Sequence, residues 1–267
     1  MKKDFDNYIF DLYGTLVDIH TDEEQPILWE KMANKLSEDF ESEFETVFLR
    51  KRYLEICAEE EKKLGKESGA QFPEIRIEKV WTRLILEGRQ IIDEDFDDSF
   101  DKEKEELENS DEVKDLCIYF RESSRDKFEV YDGVFETLKS IKAAGKGIFL
   151  LSNAQKVFTE KELKDAGLWD YFDDIFISSD KGIKKPQKEF LEQLMKENHL
   201  NRDKCVMIGN DLVSDVGVAF KNGVHSFFLN TYDISDRKIE KELTELGIKG
   251  SALMPVIVED GDICKIL

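Results

Sequence analysis

Near the start of the chain a short apolar run, Tyr8-Ile9-Phe10, ends on the carboxylate Asp11, and Leu12-Tyr13-Gly14-Thr15-Leu16 follows at once. An apolar run this short, closed by a glycine turn, reads as a buried strand. In an open α/β sheet, chemistry sits just beyond the carboxyl ends of the strands. Asp11 therefore stands where a nucleophilic carboxylate would stand.

The partners of that strand lie far downstream. From about residue 127 strands and helices alternate. Val134, Leu138 and Ile141 suit a helix that Gly145 stops. Gly147–Leu151, Ile175–Ile177, Cys205–Ile208 and Ser226–Leu229 read as buried strands. Helices are expected near 159–166, after Pro186 as a first-turn residue, and at 215–222. Short strands alternating with helices imply a parallel sheet with right-handed crossovers. The expected fold class is α/β, a Rossmann-like doubly wound parallel sheet with an inserted α-helical domain. Residues 1–17 and 127–267 would form the core domain, and 18–126 the insertion.

The insertion has a helical texture. Thr21-x-x-Glu24 reads as a capping box, with Trp29, Met32, Ala33 and Leu36 following at helical spacing. Phe44, Val47 and Phe48 open a second helix. Ile77, Val80, Trp81 and Leu84 mark a third, and Ser110 caps a fourth that carries Val113, Leu116, Cys117 and Phe120. Residues 93–112 hold twelve Asp or Glu against two Lys, which reads as a solvated loop or helix face. At the other end of the chain, Val256–Ile263 reads as a hairpin.

Formal net charge is −21, which argues against a basic nucleic-acid surface and against adsorption to an anionic membrane. A small anionic substrate would need local Lys or Arg, or a metal ion, to offset that field. No apolar stretch reaches spanning length, and Met1-Lys2-Lys3-Asp4-Phe5-Asp6 does not read as a signal peptide. Cys57, Cys117, Cys205 and Cys264 form no CxxC pair, so free thiols in a reducing cytoplasm are expected. His20, His199 and His225 do not cluster, which removes a His-based metal site. Nothing in the sequence sets an oligomeric state.

Four strand ends carry polar residues: Asp11; Ser152-Asn153; Lys185-Pro186, a few residues after its strand; and Gly209-Asn210-Asp211-Leu212-Val213-Ser214-Asp215. In this order they resemble the four motifs of the haloacid dehalogenase (HAD) superfamily, over residues 7–17 and about 130–230. The resemblance implies a hydrolase working through a covalent aspartyl intermediate on Asp11. It implies that Ser152 bonds the transferring group, that Thr15 and Asn153 help hold the substrate, and that Lys185 keeps Asp11 ionised and offsets transition-state charge. It also implies a Mg²⁺ site built from Asp11, the Tyr13 carbonyl and either Asn210 or Asp211, with Asp215 anchoring that site or Lys185. Mg²⁺ takes oxygen ligands and keeps several waters.

One letter departs from the family's phosphatase pattern. Tyr13 stands where a second Asp protonates the departing alcohol and then activates water. A phenol with a pKa near 10 serves both tasks poorly near neutral pH. The form Asp-x-Tyr-Gly-Thr is that of haloacid dehalogenases, whose halide leaves without a proton and whose site needs no metal. Three readings stay open. The acidic fourth motif favours a Mg²⁺-dependent phosphohydrolase for small phosphates with good leaving groups. Tyr13 favours a metal-independent 2-haloacid dehalogenase, with Arg50, Arg52, Arg83 and Arg89 available to receive halide. The third is a non-catalytic phosphate-binding module. By resemblance, the helical insertion is a cap that excludes water and supplies specificity.

Overall fold

The computed structural model describes residues 4–89 and 98–267. In chain order these form β1 (Asn7–Phe10), β2 (Val17–Thr21), α1 (Pro26–Phe40), α2 (Thr46–Ser68), α3 (Ile77–Gly88), α4 (Asp98–Glu108), α5 (Asp111–Ser124) and β3 (Arg125–Val130). Then come α6 (Val134–Ala143), β4 (Gly147–Ser152), α7 (Lys156–Asp165), β5 (Asp174–Ile177), α8 (Ser178–Lys181), α9 (Lys188–Glu197) and β6 (Cys205–Gly209). The chain closes with α10 (Gly217–Asn222), β7 (His225–Leu229), α11 (Asp236–Glu245) and β8 (Val256–Val258). They fall into two compact units. One holds the chain up to Ile19 with Phe128–Ala154 and Glu162–Leu267; the other is His20–Lys127 with Gln155–Lys161.

The first unit is a doubly wound α/β domain. Its six strands lie in the order β5-β4-β1-β6-β7-β8, and every neighbouring pair is parallel. Phe10 pairs with Leu150 of β4 on one side and Ile208 of β6 on the other. The residues that follow these three strands therefore emerge at one edge. Strand order runs outward from β1 to β5, then resumes on the opposite side at β6, so the switch point lies beside β1, where open α/β sheets hold their ligands. Both faces are covered. Phe10, Ile148, Leu150, Val206 and Ile208 pack with Leu138 and Ile141 of α6. The alternate residues Ile9, Phe149, Leu151 and Met207 pack with Phe190, Leu194 and Val218. Burial on both faces is why these strands read as continuous apolar runs.

The second unit buries the helical stripes around Trp29, Tyr53, Trp81 and Phe120; Tyr53 and Phe120 each contact the other three rings, with centroids 5.2–5.7 Å apart. Ser110 caps α5 by accepting from Val113 N–H. Gln155 belongs to this unit because its side chain accepts from Ile77 N–H and donates to Ile75 C=O, both at 2.9 Å. Residues 93–97 of the acidic run lie outside the described residues, and the run continues as α4. No helix among the described residues is long and apolar enough to cross a membrane.

Several local expectations are corrected. Thr21 ends β2 instead of opening a capping box. Asp22 takes the turn, accepting from the N–H groups of Glu24 and Gln25 at 2.9 and 3.2 Å, and Pro26 fixes the helix start. Val47 and Phe48 are exposed, while α2 buries Leu49, Tyr53 and Ile56. The stretch read as wholly helical is bounded by the β2–β3 ribbon. Helix α9 starts at Lys188 with Gln187 at its N-cap, so Pro186 precedes it. Val256–Ile263 is no hairpin: β8 adds in parallel to the open edge of β7, and Asp262 then caps a short 3₁₀ turn, Ile263–Ile266.

Candidate active site

Asp11 follows β1 directly, its N–H bonded to Ile208 C=O at 2.9 Å. The turn behind it depends on Gly14. Its φ is +80°, and an added Cβ would lie 2.1 Å from Asn210 Nδ2 and 2.6 Å from Tyr232 Oη. Positive φ and lack of space both demand glycine there. Thr15 is buried, its hydroxyl 3.2 Å from Asp11 Oδ2 and 3.3 Å from Asn210 Oδ1.

Lys185 reaches Asp11 from the loop before α9. Its Nζ donates to Asp11 Oδ1 at 2.6 Å, to Asp215 Oδ1 at 2.7 Å and to Leu151 C=O at 2.7 Å. An ammonium has three donors, and all three are used. Burial works against this charge, but Asp11 and Asp215 outweigh it and hold the lysine above its ordinary range. Burial pushes the Asp215 carboxyl up to about 7, against the pull of the ammonium. Asn153 fastens the lysine's backbone: its Oδ1 accepts from Lys185 N–H at 2.8 Å and its Nδ2 donates to Lys185 C=O at 2.9 Å.

The loop after β6 supplies the opposite wall. Asp215 sits in a π-helical turn, Leu212–Val216, its Oδ2 accepting from Asp211 N–H at 3.0 Å. Gly209 makes room for it, since a Cβ there would meet that carboxyl at 2.1 Å. Asp211 and Asn210 diverge. The Asp211 carboxylate caps the turn, accepting from Ser214 N–H at 2.5 Å, and Asp211 is exposed, whereas Asn210 is buried with its Oδ1 3.3 Å from the Thr15 hydroxyl. Ser152 is fully buried at the end of β4, and its hydroxyl has no hydrogen-bond partner among the described residues.

A cavity of about 460 Å³ is lined by Asp11, Tyr13, Asn153, Lys185, Asn210 and Asp211 among others, with the buried Thr15 and Ser152 behind its wall and not in its lining. Its rim includes Tyr232, Ile234, Lys238 and Glu242, which the sequence left without a role. Also unforeseen is Glu162. It is 3% exposed and accepts a short hydrogen bond from the Tyr13 phenol. A glutamate at helical spacing from the apolar Phe158 was the available signal.

With both carboxyls ionised, two carboxylates against one ammonium leave the Asp11–Lys185–Asp215 cluster one negative charge in excess. No three of His, Cys, Asp and Glu form a metal-holding group among the described residues. The oxygens that converge are Asp11 Oδ2 and Asn210 Oδ1, both within reach of the Thr15 hydroxyl. An all-oxygen set with one carboxylate fits Mg²⁺, which retains several waters. Chemically, the arrangement offers a positioned carboxylate at a strand end, a fixed cation behind it and an open cavity before it.

The sequence profile of the haloacid dehalogenase-like hydrolases matches residues 5–223, and the chain belongs to that family of hydrolases. It is 29% identical over 139 residues to the phosphoglycolate phosphatase of Colwellia psychrerythraea, covering 51% of this chain and 58% of that protein. It is 27% identical over 101 residues to the pyrimidine 5'-nucleotidase YjjG of Escherichia coli, covering 38% and 44%. The chain thus spans about half the length of the curated relatives it matches. In fold it is similar to 2-haloacid dehalogenase from Pseudomonas syringae, with a TM-score of 0.56 and 17% identity over 90% of this chain and 99% of that one. The rim residues Tyr232, Ile234, Lys238 and Glu242 lie beyond the stretch that the family profile matches.

Proposed function

We propose that the chain is a Mg²⁺-dependent phosphohydrolase that forms an aspartyl-phosphate on Asp11 and takes small-molecule phosphates with good leaving groups. The observation that carries this is the Asp11–Lys185–Asp215 cluster. One Asp11 oxygen is tied to the lysine, and the other faces the Thr15 hydroxyl, which also reaches Asn210. In this reading Oδ2 attacks phosphorus, the bond to the leaving group breaks, and water then hydrolyses the acyl phosphate. Lys185 keeps the nucleophile ionised and oriented. Asp11, Asn210 and the Tyr13 carbonyl would hold Mg²⁺, which when bound offsets the charge of the phosphoryl oxygens. Asp211 is left as a cap. Ser152 is proposed to bond the transferring group, because an orphaned buried hydroxyl calls for a ligand. Thr15 and Asn153 act by positioning, the first between Asp11 and Asn210, the second on the Lys185 backbone.

The phosphatase names carried by the relatives support this reading. Tyr13 supports the second one, a metal-independent 2-haloacid dehalogenase, since its phenol is bound to Glu162 and no second aspartate is present. We read the helical unit as the family's cap, and the four unpaired cysteines as suited to a reducing cytoplasm.

Turnover of acyl phosphates, aryl phosphates and 2-haloacids, each with and without Mg²⁺, tests the proposal in wild type and Asp11→Asn. The variant should keep its circular dichroism and lose turnover, because an amide is a far poorer nucleophile. Undiminished turnover in it overturns the role of Asp11. Haloacid turnover that ignores Mg²⁺ establishes the dehalogenase instead.

A further inference from the structure

The one residue that departs from the phosphatase pattern is held by a buried carboxylate 149 positions away in sequence. A carboxylate taken out of water needs hydrogen bonds, and charge-assisted bonds are among the strongest available. Tyr13 donates one to Glu162, which is 3% exposed. A phenol has a single proton to give. With that proton engaged by Glu162, Tyr13 offers only lone pairs to the cavity it lines beside Asp11.

We propose that Glu162 is a specificity-determining positioning residue: by engaging the Tyr13 proton it denies the site a general acid, and so restricts it to leaving groups that depart unprotonated. This rests on the phosphohydrolase reading above. In the first step the bond from phosphorus to the leaving oxygen breaks, and the electron pair leaves with that oxygen. No proton accompanies it from the protein. Aryl and acyl phosphates tolerate this. Alkyl phosphates lose the help of a general acid, typically about 10²–10⁴ in rate.

The test is the dependence of hydrolysis rate on leaving-group acidity, across aryl and alkyl phosphates with MgCl₂ present. Wild type should show a steep dependence. Glu162→Ala frees the phenol, and the alkyl-to-aryl rate ratio should rise roughly tenfold or more, part of the range available to a general acid. Glu162→Gln keeps an acceptor for the phenol and should keep the steep dependence. Adding Tyr13→Phe to Glu162→Ala should restore it. A purely structural role for Glu162 would scale all substrates by one factor in Glu162→Ala, and that result overturns the proposal. So does Tyr13→Phe alone steepening the dependence, which would mean the tyrosine already donates to substrate.

If Glu162→Ala does not fold, the tyrosine ring doublet in the Raman difference between wild type and Tyr13→Phe still decides, because it separates a donating from an accepting phenol. A non-donating phenol overturns the proposal. Asp11→Asn tells the two failures apart. If phosphate turnover is absent from wild type or survives in Asp11→Asn, the phosphohydrolase reading fails and takes this one with it. If Asp11→Asn abolishes turnover while Glu162→Ala leaves the ratio unchanged, only the role of Glu162 fails.

Discussion

Replacing Lys185 by Met tests how the candidate site is held together. Methionine keeps nearly the same length and fills the same slot, so the change removes charge and donors while keeping most of the packing. Asp11 Oδ1 and Asp215 Oδ1 lose bonds of 2.6 and 2.7 Å, and Leu151 C=O loses its 2.7 Å partner. The lysine and Asp215 side chains are each 1% exposed, and that of Asp11 11%, so water offers little compensation. Each hydrogen bond to a charged group contributes about 1.5–3 kcal/mol. Two of them agree with the roughly 3–5 kcal/mol lost when a buried ion pair is stripped of one partner. At about 1.4 kcal/mol per factor of ten, local opening of the sheet should rise by roughly 10²–10⁴. Two compact units make a whole-chain melt a poor two-state measurement. The assay is therefore amide hydrogen exchange in β1, β4 and β6, where local stability is read strand by strand. Lys185→Met with Asp215→Asn should recover a large part of the loss, because the most deeply buried unpaired charge is gone. Exchange in Lys185→Met within tenfold of wild type would refute the reasoning, since the cluster would then contribute little to stability.

Gly14→Ala should abolish turnover and cost at least about 1 kcal/mol, the usual scale for a non-glycine residue forced to positive φ; steady-state kinetics and urea titration check both. Asn210→Asp should tighten Mg²⁺ binding by calorimetry by adding a charged ligand, whereas Asp211→Ala should leave the isotherm unchanged and cost the cap about 1 kcal/mol. Identical isotherms for wild type and Asn210→Asp would place the metal elsewhere. Ser152→Ala should be as stable as wild type or more so, because it removes an unpartnered buried hydroxyl, yet slow phosphate turnover; a clear loss of stability would show that the hydroxyl is bonded within the fold.

Much of the fold was legible in local patterns. The five strands β1, β4, β5, β6 and β7 are short, mostly apolar runs between turn signals, as strands largely buried on both faces must be. Trp29, Met32 and Leu36, or Val80, Trp81 and Leu84, repeat at the helical period because only one stripe of each helix meets a core. The β2–β3 ribbon escaped notice because it is half-exposed and mixes His20, Asp126 and Lys127 with its apolar residues. Strand β8, three residues long, gained its identity from the open edge of β7. Thr21 and Asp22 are both able caps, and the start of α1 at Pro26 decided between them.

By itself the sequence determined the alternation of strands and helices, the long helical insertion, and the polar residues that stop each strand. Apolar period and turn chemistry act over a few neighbouring residues, so they are written where they operate. Tertiary structure alone decided the partners. Asn210 turns toward Thr15 while Asp211 turns away to cap; Asn153 serves the backbone of Lys185; and Glu162 takes the proton of Tyr13. Each choice depends on which strand ends the sheet order brings to the same edge and which side chains are buried together there. Local periodicity carries no record of that.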